Sequence, residues 1–126
     1  MKYTANKKEN YVIIALNEEK LDTTIAPELK SEFVTLQAEG FQHVILNMGQ
    51  VKYSDSSGLS AVLVGNRLFG DSGSFIICEI KDHVQKLIKI SMLDKVLNIV
   101  ANEQQAVAAV TVDDIENQMN QNSGKE

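Results

Sequence analysis

Apolar positions along this chain follow two rhythms. Tyr11-Val12-Ile13-Ile14-Ala15-Leu16 is an unbroken apolar run, and so are Val44-Ile45-Leu46 and Phe75-Ile76-Ile77-Cys78. Short runs of this kind suit strands that are covered on both faces. Between them the spacing becomes helical. Ile25, Leu29, Phe33 and Leu36 recur at intervals of four, four and three, which draws one apolar stripe along a helix. That helix is predicted to start near Thr24, with Pro27 in the first turn, where a missing N–H costs least. Gly40 should stop it, with Leu36 and Phe41 touching across a Schellman ending.

The rest of the chain continues the alternation. Tyr3–Asn6 and Tyr11–Leu16 read as two strands joined by the polar turn Lys7-Lys8-Glu9-Asn10. His43–Met48 and Ser74–Ile80 are strands, and a helix runs from about Ser57 to Phe69. Asp82 with Gln85 can open a short helix that turns Val84, Leu87 and Ile88 inward. Val96–Val100 is a last short strand. Asn102 with Gln105 forms a capping pair for a helix bearing Ala106, Val107 and Val110. Strands alternating with helices predict an α/β domain over residues 1–112. Its sheet should be mostly parallel, four- to five-stranded, with an antiparallel edge strand and about four helices. Residues 113–126 are polar and are expected to add a helical turn at Ile115 and Met119, then a disordered tail from Asn120 onward.

Composition narrows the classes of function. The 126 residues suffice for one core. With aromatics at 6% and no Trp, that core must be aliphatic. A net charge of −5 argues against a nucleic-acid surface and against docking on anionic lipid. No run approaches a membrane span, and Met1-Lys2-Tyr3-Thr4 has no apolar signal stretch, so a cytoplasmic domain is expected. The single Cys78 reads as a small buried hydrophobe. His43 and His83 lack neighbours at metal-ligand spacing and read as surface or boundary residues, so no metal and no cofactor are expected.

The candidate chemistry lies in Ser54-Asp55-Ser56-Ser57-Gly58-Leu59. Three hydroxyls and a carboxylate stand at a helix start, where first-turn N–H groups lack partners and the dipole is positive. A phosphate could be carried there without disturbing the fold. The same residues could equally be a plain N-cap. Nucleophilic catalysis would need a Gly-x-Ser-x-Gly elbow and a base. Ser57-Gly58 lacks the preceding glycine, and no base is placed, so no catalytic residue is assigned. A phospho-aspartate receiver would need an acidic pair after its first parallel strand, where this chain reads Leu16-Asn17-Glu18-Glu19.

Asp55-Ser56-Ser57-Gly58-Leu59 resembles the phosphorylation motif of the bacterial anti-sigma-factor antagonists, which carry a STAS domain. Leu21-Asp22 resembles that family's Gly-Glu-Leu-Asp turn. His43-Val44-Ile45-Leu46-Asn47 and Phe75-Ile76-Ile77-Cys78 resemble the strands on either side of its motif, and Glu103-Gln104-Gln105-Ala106 resembles the start of its terminal helix. The similarity spans about residues 3 to 112. It implies a STAS fold and a protein-binding module without catalytic activity, phosphorylated at Ser56. The implied partners are a serine kinase of histidine-kinase-like fold, itself the anti-sigma factor, and a serine phosphatase. Asp22, Asp55, Ser56, Ser57, Gly58 and Leu59 are the implied contact residues, with Asp22 either orienting the kinase or capping the first helix. The chain departs from the pattern at Glu19-Lys20, where the family has Gly-Glu, and at Ser60, often Gly in the family. Lys20, in place of an acid at the contact surface, bears on the choice of partner. The alternative is a STAS accessory subunit of another complex, such as a lipid-transport machine, with no phospho-switch.

Overall fold

Side chains along each inner strand point alternately to two different helical layers. In β2 (Tyr11–Leu16), β4 (His43–Asn47) and β6 (Ser74–Cys78), Val12, Ile14, Leu16, Val44, Leu46, Phe75 and Ile77 face one core. Ile13, Ile45, Ile76 and Cys78 face the other. This is the period of two acting on strands buried on both sides. The computed structural model describes residues 1–123. Its five-stranded sheet has the order β1-β2-β4-β6-β7. β1 (Tyr3–Lys7) is an antiparallel edge, and β7 (Asn98–Ile99) closes the opposite edge in parallel.

The larger core lies under α1 (Ala26–Ala38), α2 (Ser56–Phe69) and α3 (Asp82–Ile90). Phe33 stands edge-on to both Phe69 and Phe75, with ring centroids 6.3 and 5.4 Å away. Buried Gly65 lets α2 approach these rings, because a Cβ there would strike Phe75 and Phe33. The stripe Ile25, Leu29, Phe33 and Leu36 is buried as its spacing predicts. At the end of α1, Gly40 adopts φ +97°, the Gly40 N–H donates to the Gln37 carbonyl, and the Phe41 N–H donates to the Leu36 carbonyl. That is the Schellman pattern, and the positive φ is why glycine stands there.

α4 (Glu103–Ser123) covers the other face alone. Asn102 accepts from the Gln105 N–H and the Gln105 side chain accepts from the Ala101 N–H, so the expected capping pair forms. The helix does not pause at 112. Ile115 and Met119 belong to one 21-residue helix, which continues through Asn120 to Ser123. Residues 124–126 of the expected tail lie outside the described residues.

Two expectations need correcting. Asp82 does not cap α3: Lys81 is the N-cap residue, the Gln85 N–H bonds the Lys81 carbonyl, and Asp82 sits in the first turn. His43 is not at the surface. It lies on the face of β4 shared with Ile45, beneath the prolonged α4, and is 1% exposed. The stretch around Val51 and Tyr53 is not part of the main sheet. β5 (Tyr53–Ser54) pairs instead with β3 (Lys20–Leu21) in a separate two-stranded parallel ribbon. Cys78 is fully buried, and burial pushes its thiol up to about 12.

Candidate functional site

The β3–β5 ribbon brings two distant turns together. Lys20 pairs with Tyr53 and Leu21 with Ser54, so the turn after β3 lies against the start of α2. The Asp55 N–H donates to the Leu21 carbonyl at 3.3 Å, which joins the two strand ends. α2 could not sit so close with any residue but glycine at 58. A Cβ there would run into the Leu21 carbonyl oxygen and the Ser54 hydroxyl.

Asp55 caps α2. Its Oδ1 accepts the Gly58 N–H at 2.9 Å, and its carbonyl accepts the Leu59 N–H at 3.1 Å. The N-cap is therefore the carboxylate of the cluster and none of its serines. Ser54 is buried and its hydroxyl donates to the Asp55 carbonyl at 3.1 Å. Ser57 is half-buried and accepts from Thr23 Oγ1 at 3.2 Å. Ser56 is exposed, and among the described residues its hydroxyl has no hydrogen-bond partner. The Ser56 and Ser57 N–H groups are likewise unpartnered among the described residues, as expected for a first turn.

Asp22 closes the opposite turn. Its Oδ1 accepts the Thr24 hydroxyl at 2.6 Å and the Thr24 N–H at 3.0 Å, while its carbonyl accepts from Ile25 and Ala26 at the entry to α1. The Thr24 hydroxyl and N–H, with Lys20 adding a smaller effect, hold the Asp22 carboxyl below the usual aspartate range. Thr23 stitches the turns together, with its Oγ1 3.4 Å from Asp55 Oδ2 as well as 3.2 Å from Ser57. Sequence reasoning missed this bridge, because its partners lie 32 and 34 residues away.

The expected contact set thus divides in two. Asp22, Asp55, Ser56 and Ser57 reach the surface of one rim. Gly58 and Leu59 are buried and set the helix position instead, with Leu59 only 5% exposed. The helix beyond them offers no bare apolar face: Leu59, Ala61 and Val62 are buried, and Leu63 and Leu68 pack against the core. The rim gains an aromatic member the sequence did not suggest. Tyr53, 46% exposed, stacks on His83 of α3 with centroids 6.3 Å apart. Exposed Lys20 sits on β3 at the same rim. No group of His, Cys, Asp and Glu among the described residues could hold a metal ion, and no imidazole bonds any of the three serines.

The STAS domain family model matches residues 2–106. The chain belongs to the STAS domain family. At sequence level this STAS domain is 32% identical over 110 residues to BtrV of Bordetella bronchiseptica, provisionally named an anti-sigma factor antagonist. That match covers 86% of this chain and 93% of BtrV. Among solved structures, the domain is similar to an anti-sigma factor antagonist from Mycobacterium paratuberculosis. The TM-score is 0.79 at 16% identity, covering 87% of this chain and 93% of the other. It is also similar to the anti-sigma factor antagonist SpoIIAA of Bacillus. The unphosphorylated form gives a TM-score of 0.74 at 22% identity, covering 87% of this chain and 96% of the other. The phosphorylated form gives 0.67 at 22%, covering 86% and 99%. At these identities the structural likeness speaks for the STAS fold alone. No helix among the described residues is long and apolar enough to cross a membrane.

Proposed function

We propose that this STAS domain is an anti-sigma-factor antagonist whose affinity for a serine-kinase partner is switched at Ser56. One observation carries the reading: Ser56 is the hydroxyl of the motif that is exposed and unbonded, while Asp55 does the capping. The names of BtrV and SpoIIAA support the same reading.

The domain itself performs no catalysis. A kinase of histidine-kinase-like fold, the anti-sigma factor, transfers the γ-phosphoryl of ATP to Ser56 Oγ. One P–O bond forms, the P–O bond to ADP breaks, and the hydroxyl proton passes to a base on the kinase. A serine phosphatase hydrolyses the ester and releases phosphate. Both encounters take place in the cytoplasm. The phosphate brings about −1.5 to −2 charges to the first turn of α2. Against the free Ser56 and Ser57 N–H groups and the helix dipole, that is worth ~0.3–1 kcal/mol in the helix's favour. The fold therefore survives the modification, and the effect falls on the partner. An interface fitted to a bare hydroxyl must accommodate added bulk and a desolvated dianion beside the Asp55 carboxylate. A loss of ~3 kcal/mol there is a roughly hundredfold drop in affinity. Asp22 and Ser57 flank the contact, and Gly58 and Leu59 hold the helix that presents it.

The test uses the cognate kinase with labelled ATP on the wild type, Ser56→Ala and Ser57→Ala. Label is expected on the wild type and Ser57→Ala and absent from Ser56→Ala. Label retained by Ser56→Ala, or no label on any of the three with a kinase of verified activity, would overturn the reading.

A further inference from the structure

Eight large apolar side chains are exposed among the described residues, and six of them fall in two patches. Ile90 (80% exposed), Met92 (58%) and Val96 (57%) project from the corner formed by the end of α3 and the 3-10 turn Leu93–Lys95. Met92 is in left-handed backbone at φ 61°, which turns the chain out at this corner. Val112 (55%), Ile115 (52%) and Met119 (62%) form the second patch. Their spacing of three and four places them in one stripe along the outer side of α4.

The charges around the two patches are opposite. Over residues 81–96, Lys81, Lys86, Lys89 and Lys95 outweigh Asp82 and Asp94, leaving +2 in a chain of net −5, so the remainder carries −7. Around the stripe α4 carries Asp113, Asp114 and Glu116 and no Lys or Arg; exposed Glu116 borders it directly, while Asp113 and Asp114 are partly exposed and bond Ser74 and Asn10. The patches belong to opposite faces of the sheet, and both flank the short edge strand β7. A cavity of about 280 Å³ between α3 and β7 and one of about 430 Å³ between β7 and α4 share Asn98 as a wall. With the sheet between them, the two patches of one molecule cannot meet.

We propose that the α4 stripe of one copy docks on the α3 corner of a second copy. Stripe on stripe would set acid against acid, and corner on corner would set lysine against lysine. Stripe on corner covers both sets of aliphatic side chains while pairing opposite charge, and such complementarity fixes which patch meets which. The contact joins two different surfaces, so it either closes reciprocally into a dimer or propagates. It leaves the Ser56 hydroxyl uninvolved.

Sedimentation equilibrium of the full chain, from micromolar to near-millimolar concentration, tests this with Ile90→Asp and Val112→Asp. Both sites are surface positions, and the circular dichroism of each variant should match the wild type. The wild type is expected to gain mass with concentration and each variant alone to remain a monomer. An equimolar mixture should form a one-to-one heterodimer, because the first variant keeps its stripe and the second its corner. Four results would overturn the proposal: a wild type that stays monomeric throughout, self-association by Ile90→Asp alone, self-association by Val112→Asp alone, or a mixture that stays monomeric.

Discussion

Among the described residues, the two ends of β4 each leave a polar group without a protein partner, and the consequences are opposite. At the rim beyond its C-terminal end, Ser56 is exposed, so its hydroxyl is open to solvent. At its N-terminal end, His43 is 1% exposed. His43 Nδ1 lies 3.7 Å from Asp113 and Nε2 lies 3.6 Å from Asp114, both too long for hydrogen bonds. Those carboxylates are engaged elsewhere: Asp113 accepts the Ser74 hydroxyl at 2.5 Å and Asp114 accepts the Asn10 amide at 3.2 Å. An unpaired group costs stability when it is buried and almost nothing when it is wet. Ser56 is spare bonding capacity held at a surface, and its neighbours Asp55, Ser57 and Thr23 are already committed to one another. His43 is capacity withheld from solvent at the end where α4 crosses the sheet. Lack of a partner suggests a working group only at the exposed end.

The largest effect that would sharpen this contrast is on binding. Ser56→Asp places a charge where the phosphate would go, and titration calorimetry with the kinase should show partner affinity falling by up to about a hundredfold, ~3 kcal/mol. Its melting temperature should stay near the wild type, since surface changes of this kind move stability within ~0.5 kcal/mol. A matching loss of stability would mean that the rim is part of the fold's own support. Gly58→Val should come next. Forcing a branched side chain against the Leu21 carbonyl and Ser54 should cost ~1–3 kcal/mol in chemical denaturation. It should also weaken labelling of Ser56 by displacing the first turn of α2.

The opposite end should respond less. His43→Leu replaces a buried, unbonded imidazole with an apolar side chain and leaves Asp113 and Asp114 their existing partners. Stability at neutral pH should be unchanged or higher by up to ~1 kcal/mol, with Ser56 labelling unaffected. A loss beyond ~2 kcal/mol would show that the imidazole is bonded after all. The smallest effect concerns Asp22. Its folded carboxyl is held below the usual range, so its contribution is fully present above the ordinary aspartate value and disappears as pH falls through the lower folded one. An NMR titration should show the Thr24 amide resonance moving only at that lower pH. In Asp22→Asn the movement should be absent.

Much of this was legible in the sequence because it is local. The apolar runs of β2, β4 and β6, the α1 stripe with its Gly40 ending, and the Asn102–Gln105 cap each depend on residues close in the chain. The serine cluster at the start of α2 was legible too, through one hexapeptide and its likeness to a family. What escaped is set by long-range pairing. Asp55 and Ser57 were visible, but only the β3–β5 ribbon could bring Thr23 to them. His43 looked like a boundary residue because its burial depends on α4 running past 112, and that segment is too polar to advertise a buried face. Asp82 looked like a cap because composition alone does not tell a cap residue from the one after it.

One property of the core has a practical use. The lone thiol, Cys78, is sealed in the sheet and keeps its proton far above neutral pH. A cysteine introduced as S56C would then be the sole thiol open to alkylation near neutrality. A fluorophore could be attached at the proposed acceptor position itself, and its emission would report each arrival and departure of a docking protein in real time.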